Sequence, residues 1–428
     1  MSLTYDEYLL EEKQYQELGT LLLLERKHAC LFYKPGKGKT YPTVKAARAV
    51  DESMNGNAKV LVLSTADAIK NMWLVEIEPQ KIMPKNTVYM SFNSAIQDQT
   101  KLKLLKLKWD IIIVDESHKI KSHNSKTSKL VYQLSKKCEY VWGLTGTPRG
   151  NTDVDIYCQF HNMCISDWGS ITYTQFVDQC CDLDRKYFNG QMVKIPVGIN
   201  HRYKAGWERN IAMYTQRIEY SEDDGMPDLN VNLVEIDYTP TKQYLQAEEG
   251  VVSIGDYEST MTKLAAITKL HQIVNGFAYI YDDENNRITY DIEHCKKLDW
   301  LVGNVVVNKP TTIVYRFDAD RQKIEEIFGN FCTENVEDFK AGKYKILLLQ
   351  CSRCESFNLQ MCKHMIFYTL DYSYIKYNQM LHRIWRMGQT DNVKVDVLIH
   401  KDTVETKIWE TVKNKEKFAD LFMSIKGA

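Results

Sequence analysis

Charge of one sign is what this chain most plainly lacks: 55 lysines and arginines stand against 56 aspartates and glutamates, a formal net charge of -1 over 428 residues. No global positive field is available to attract nucleic acid, so such a partner must be held by local patches. Proline (9) and glycine (20) are also sparse, and no low-complexity stretch is present. This excludes long disordered linkers and predicts a chain folded almost throughout. Long apolar runs are missing as well. The most apolar N-terminal stretch, "LLLLERKHACLF", is interrupted by charge and falls far short of a membrane span, and no signal peptide is read at the start. The expectation is a cytoplasmic protein, bacterial or in an infected host cell, with no membrane partner. The 11 cysteines are odd in number and include one CC pair (Cys180, Cys181) and one CxxC (Cys351, Cys354). No second pair completes four zinc ligands, so reduced structural thiols are predicted instead of a disulfide framework or a metal site.

What is present is an α/β rhythm. The length is too great for one average core and predicts two domains. The opening "YDEYLLEEKQYQELGTLLLLERKHA" carries apolar residues at helical spacing, and "ACLFYKPGKGKTYPTVKAARAV" reads as strand, Gly/Pro loop and helix. "KVLVLST", "TVYMSF", "WDIIIVDESH" and "EYVWGLTGTP" then read as short buried parallel strands. The rhythm returns in "TTIVYRF", "YKILLLQ", "KHMIFYTL" and "VKVDVLIH". The predicted fold class is α/β with two parallel sheets. The predicted domains are a first lobe over 1–161, a helical insertion and crossing segment over 162–235, and a second lobe with a helical protrusion over 236–428.

Two stretches carry chemistry. "YKPGKGKT" places Pro35, Gly36, Lys37, Gly38, Lys39 and Thr40 between a strand and a helix. In such a loop backbone N–H groups converge on phosphate oxygens, a lysine neutralises their charge and a threonine hydroxyl ligates Mg²⁺. Tyr33 stands where the usual pattern has its first glycine, and a plain basic glycine turn is the alternative. "IIIVDESHKIKS" runs β-branched residues into Asp115 and Glu116. One carboxylate at a strand end can hold Mg²⁺ and a second can activate water; alone, the same stretch reads more often as a strand surfacing into a solvated charged turn. Both in one α/β domain favour the catalytic reading.

With Gln16, "PGKGKT", "DESHKIKSHNS", "LTGTPRGN", "SFNLQ" and "QMLHRIWRMGQ" in this order, the chain resembles the superfamily 2 helicases and translocases, in the details of their Swi/Snf-type branch. The resemblance runs from Tyr15 to about Lys415. It implies two RecA-like lobes with ATP in the cleft between them, Mg²⁺ held at Thr40 and Asp115, and water activated by Glu116. It further implies that Gln16 reads the adenine edge, and that Arg383 and Arg386, with Gln379 beside them, meet the γ-phosphate. Cys354 and Ser356 stand where the branch commonly has glycines, which puts the path of that loop in question and not the ATPase reading.

Residues facing nucleic acid are expected at strand ends: Ser64, Thr65, Ser91, Asn93, Lys121, Ser125, Thr145, Thr147, Ser352 and Asn358. Short hydroxyl and amide groups suit phosphate-backbone contacts that carry no base sequence, although Ser and Thr after a strand equally cap helices. His118 is read as coupling the two sites, Trp142, Trp385 and Trp409 as packing, and "KLKLLKLK" as a solvated helix face. The expected activity is ATP hydrolysis to ADP and phosphate by a monomeric motor translocating on double-stranded DNA. A strand-separating helicase for forked or branched DNA and a DNA-activated ATPase switch without processive movement are the alternatives.

Overall fold

In the computed structural model the residues described are 13–149, 152–188, 191–220, 226–254, 257–261, 263–282, 284, 286–353, 359–386, 389 and 391–414. The chain divides into two compact units, Met1–Ser221 and Glu222–Ala428.

The first unit is built on a six-stranded parallel sheet. Its strands are β1 (His28–Tyr33), β2 (Lys59–Ser64), β3 (Asn86–Ser91), β4 (Ile111–Asp115), β5 (Tyr140–Leu144) and β8 (Thr215–Ile218), in the order β3-β2-β4-β5-β1-β8. β4 is buried along its whole length. Four consecutive β-branched residues suit a central strand covered on both faces, where alternation is not required. Helices Gln14–Arg26 and Thr40–Ser53 pack on one face with Leu23, Val44 and Ala47, and helix Val154–Asn162 with Tyr157 and Phe160 lies on the other.

The second unit repeats the plan with β9 (Leu229–Ile236), β14 (Thr311–Tyr315), β15 (Cys332–Thr333), β16 (Ile346–Gln350), β17 (His364–Phe367) and β18 (Val393–His400), all parallel, in the order β15-β16-β14-β17-β18-β9. Hairpins β10 (Val251–Ile254)/β11 (Tyr257–Thr260) and β12 (Phe277–Tyr281)/β13 (Arg287–Asp291) flank it. These sheets, with helices between successive strands, are two RecA-like lobes. Among the described residues no helix is long and apolar enough to cross a membrane.

The stretch 162–235 differs from the expected helical insertion. It contains helices, the longest His201–Tyr214, but also an antiparallel hairpin of β6 (Cys181–Phe188) and β7 (Gln191–Ile199), bulged between Asp182 and Leu183. It also supplies the outer strand of each sheet: β8 pairs with β1, and β9 pairs with β18. β6 is rich in charge, β7 carries Pro196, and β9 alternates half-buried with exposed residues. None of these resembles a buried central strand, because hairpin and outer strands need not be apolar and tolerate proline beside a bulge.

Candidate active site

The loop after β1 enters helix Thr40–Ser53 with Gly36 at φ 84° and Gly38 at φ 67°. A Cβ on Gly38 would also stand 2.5 Å from Gln16 Nε2, so a larger residue there would be strained by its φ and would have to displace the end of the Gln16 side chain that braces the loop. The loop is held from several sides. Gln16 Nε2 donates to Gly38 O (3.2 Å), while its Oε1 accepts from Lys13 N (2.9 Å). Tyr15 Oη donates to Lys37 O (3.0 Å), and Tyr220 Oη donates to Pro35 O (2.8 Å). Gly146 of "LTGTP" presses on the same loop: a Cβ there would lie 2.9 Å from Pro35 Cδ and 3.1 Å from Tyr33 O. Lys37 is buried, its ammonium 5.8 Å from the centre of the Tyr15 ring. Gln16 is therefore placed as a brace of the loop by the same amide assigned above to the adenine edge.

Asp115 ends β4, 2% exposed. Its Oδ2 accepts from Ser64 Oγ (3.0 Å) and Trp73 Nε1 (3.1 Å), and its Oδ1 accepts from Glu116 N (3.0 Å). Burial raises this carboxyl above its ordinary value and Glu116 adds to the rise; Lys39 and the two side-chain donors pull it down. Glu116 follows in the left-handed region at φ 53°, ψ 47°. A non-glycine residue there is uncommon, and such strain clusters at functional sites. His118, 3% exposed, brings Nδ1 to 3.2 Å from Glu116 Oε2 and 2.9 Å from Thr145 Oγ1. Thr145 Oγ1 also accepts from Thr147 N (3.1 Å).

A nucleotide polyphosphate and a divalent cation fit this donor set. A glycine loop with two positive-φ positions runs into a helix N-terminus, and it lies near a buried carboxylate that a cation would stabilise in its charged form. Lys39 and Thr40 would face phosphate, and Thr40 and Asp115 the cation. Among the described residues no group of three or more His, Cys, Asp or Glu could hold a metal by itself.

One family match falls in each unit, an SNF2-related domain over residues 78–184 and a helicase conserved C-terminal domain over residues 282–388. The chain belongs to the Swi/Snf-type branch of helicase superfamily 2. It is an ATPase of that superfamily. Asp115, Glu116, His118, Thr145 and Thr147 lie inside the SNF2-related match, and Gln379, Arg383 and Arg386 inside the helicase match; the phosphate loop precedes both. The chain is similar to an uncharacterised ATP-dependent helicase of Bacillus subtilis, 23% identical over 90% of this chain and 74% of that protein. It is similar to a SWI/SNF-related regulator of chromatin, subfamily A-like protein 1, of Drosophila melanogaster, 22% identical over 89% of this chain and 52% of that protein. Among solved structures it aligns with the Sulfolobus solfataricus SWI2/SNF2 ATPase core in complex with dsDNA, at 19% identity and TM-score 0.40, over 96% of this chain and 92% of that one. The lobe assignment rests on the two sheets described above.

Several expected nucleic-acid contacts of this Swi/Snf-type chain are corrected by their burial. Ser64 and Thr145 are fully buried and bonded to Asp115 and His118, so as placed neither meets a phosphate backbone. Parallel register sets Leu63 beside Val114, so Ser64 falls next to Asp115. Thr65, Ser91 and Ser125 cap helices, accepting from Ala68 N, Ser94 N and Ser128 N. Thr147 is buried, Lys121 half-buried and Asn93 exposed. In the second unit Ser352 is exposed and donates to Gln350 Oε1 (2.9 Å); Asn358 and Cys354 lie outside the described residues. Cys351 is buried against Thr369 O. Gln379 and Arg383 sit one turn apart on helix Tyr374–Ile384, and Arg386 lies beyond its end, where the backbone extends at Trp385. Trp385 donates to Pro227 O (2.8 Å) and Trp142 to Leu23 O (3.1 Å). Trp73, Tyr15 and Tyr220 were not expected at the site. Only Tyr15, adjacent to Gln16, had a sequence signal.

Proposed function

We propose that this chain is a DNA-activated motor that hydrolyses ATP to ADP and phosphate and moves along double-stranded DNA. The observation that carries the reading is a glycine loop, with Gly36 and Gly38 at positive φ, that runs into a helix N-terminus in the same lobe where Asp115 ends β4 buried and Glu116 follows it in the left-handed region. The loop from Pro35 to Gly38 cradles phosphate with its backbone, and Lys39 neutralises charge. Thr40 and Asp115 hold Mg²⁺, which when bound offsets charge on the phosphate oxygens. Glu116, strained in the left-handed region and oriented by His118, takes the proton of the attacking water. Arg383 and Arg386, with Gln379, supply guanidinium charge to the γ-phosphoryl oxygens. Double-stranded DNA as the partner is supported by relatives named for chromatin regulation and by sequence-neutral polar groups at the strand ends, of which Asn93 is exposed and Lys121 half-buried.

The test is the ATPase rate titrated with duplex DNA, single-stranded DNA and RNA. The rate is expected to rise with duplex; no rise removes the proposal. Displacement of a triplex strand separates a motor from a switch, and unwinding of a forked duplex would favour the helicase alternative. Lys39→Ala is expected to abolish turnover. Arg386→Ala should lower kcat by roughly 10³-fold, the scale of an arginine finger, with ATP still bound.

A further inference from the structure

Trp73 belongs to none of the motifs above, yet it is fully buried and gives its indole N–H to Asp115 Oδ2 at 3.1 Å. Its backbone is as unusual as its contact. After β2 the chain makes one short helical turn, Ala66–Ala68, and then a π-helix over Ile69–Ile77. π-Helical segments are rare and their hydrogen-bond ladder is less favourable, so one of nine residues persists where other interactions offset it. Here the wider turn sets Trp73 inward, its ring centre 6.0 Å from that of Tyr89, with Ile69 and Ile77 also buried while Leu74 and Val75 stay exposed. A charged acceptor is the strongest partner an indole N–H can find in a dry interior.

Lone-pair accounting gives this contact a consequence. An ionised carboxylate has about four acceptor sites, two on each oxygen. On Asp115, Oδ2 takes two donors, Ser64 and Trp73, and Oδ1 takes one, the Glu116 backbone. Among the described residues these bonds leave one site, on Oδ1. Both donors to Oδ2 come from a single stretch, residues 64–73, so the end of β2 and the π-helix together hold that oxygen, while the Glu116 backbone meets the other.

We infer that Ser64 and Trp73 are positioning residues that lock Oδ2 of Asp115 and thereby present Oδ1 to the divalent cation of the nucleotide site. This rests on the reading of Asp115 as the cation's carboxylate. Without the lock the carboxylate can rotate, and the cation must pay to order it.

The experiment measures Mn²⁺ bound in the presence of ADP, by electron paramagnetic resonance, for the full chain and for Trp73→Phe and Ser64→Ala. Phenylalanine keeps most of the buried ring and removes the N–H; alanine removes one hydroxyl. Each variant is expected to weaken Mn²⁺ binding about tenfold, the size of one hydrogen bond to a charged group. ADP affinity in EDTA should stay unchanged, a pattern that a merely structural role would not produce. Wild-type Mn²⁺ affinity in a folded variant overturns the inference, as does equal loss of ADP affinity with and without metal. Should Trp73→Phe fail to fold, Ser64→Ala decides by itself, because it removes a donor to the same oxygen. Failure of the underlying ATPase reading is distinguishable, since wild type would then show no ADP-dependent Mn²⁺ binding at all.

Discussion

His118 Nδ1 lies 2.9 Å from Thr145 Oγ1, and the same nitrogen lies 3.2 Å from Glu116 Oε2. One imidazole thus joins the carboxylate proposed to activate water with the "LTGTP" turn, whose Gly146 packs on the phosphate loop. Thr145→Val keeps shape and removes the hydroxyl, leaving His118 nothing to bond on that side. The variant should reduce the ratio of DNA-stimulated to unstimulated ATPase several-fold. An unchanged ratio in steady-state assays would exclude this contact from communication between the two sites.

Gly38→Ala combines a left-handed backbone with a Cβ only 2.5 Å from Gln16 Nε2. Strain of roughly 1–3 kcal/mol is expected in the loop itself. Nucleotide affinity, measured by titration calorimetry, should fall by tenfold or more. Gly56→Ala, also at positive φ but with nothing within 4 Å, should cost stability only and leave that affinity intact.

Lys297 is fully buried in the second unit and donates to Tyr368 O (2.9 Å), Asn275 Oδ1 (3.1 Å) and Glu405 Oε1. Burial alone would raise the Glu405 carboxyl, but Lys297, His271 and His400 outweigh it and hold it well below the usual carboxylate range. Lys297→Met removes the ammonium partner of this buried carboxylate and should cost about 3–5 kcal/mol in denaturant unfolding. Adding Glu405→Gln should recover part of that loss. A single variant within about 0.5 kcal/mol of wild type would show that the pair is not buried as described.

His271 is pushed down to about 4 by burial, against the pull of Glu405 and with Arg316 and Lys297 adding to the fall. Its folded state is neutral where the unfolded chain takes up a proton. Its contribution is therefore complete above about pH 6.5 and is lost as pH falls through 6.5 towards 4, about 3 kcal/mol in all. Asp320, pushed up to about 6 by burial, works in the opposite sense between pH 6 and 3.8. The difference in unfolding free energy between wild type and His271→Gln isolates the histidine and should narrow across that window. A difference that stays flat from pH 7 to 4.5 would contradict it.

The sequence by itself determined the two sheets, the phosphate loop and the Asp115–Glu116 strand end. Each is a local pattern: β-branched runs make buried strands, and glycines beside a helix start make a phosphate cradle. Only the tertiary structure decided what surrounds them. Trp73 reaches Asp115 across 42 residues, His118 reaches Thr145 across 27, and Tyr220 reaches Pro35 across 185. Ser64 looked like a strand-end group open to a backbone phosphate, and register beside β4 turned it inward instead. The outer strands β8 and β9 stayed hidden for a related reason: a strand at a sheet's edge is defined by its neighbour's free N–H and C=O groups, and leaves little apolar pattern of its own.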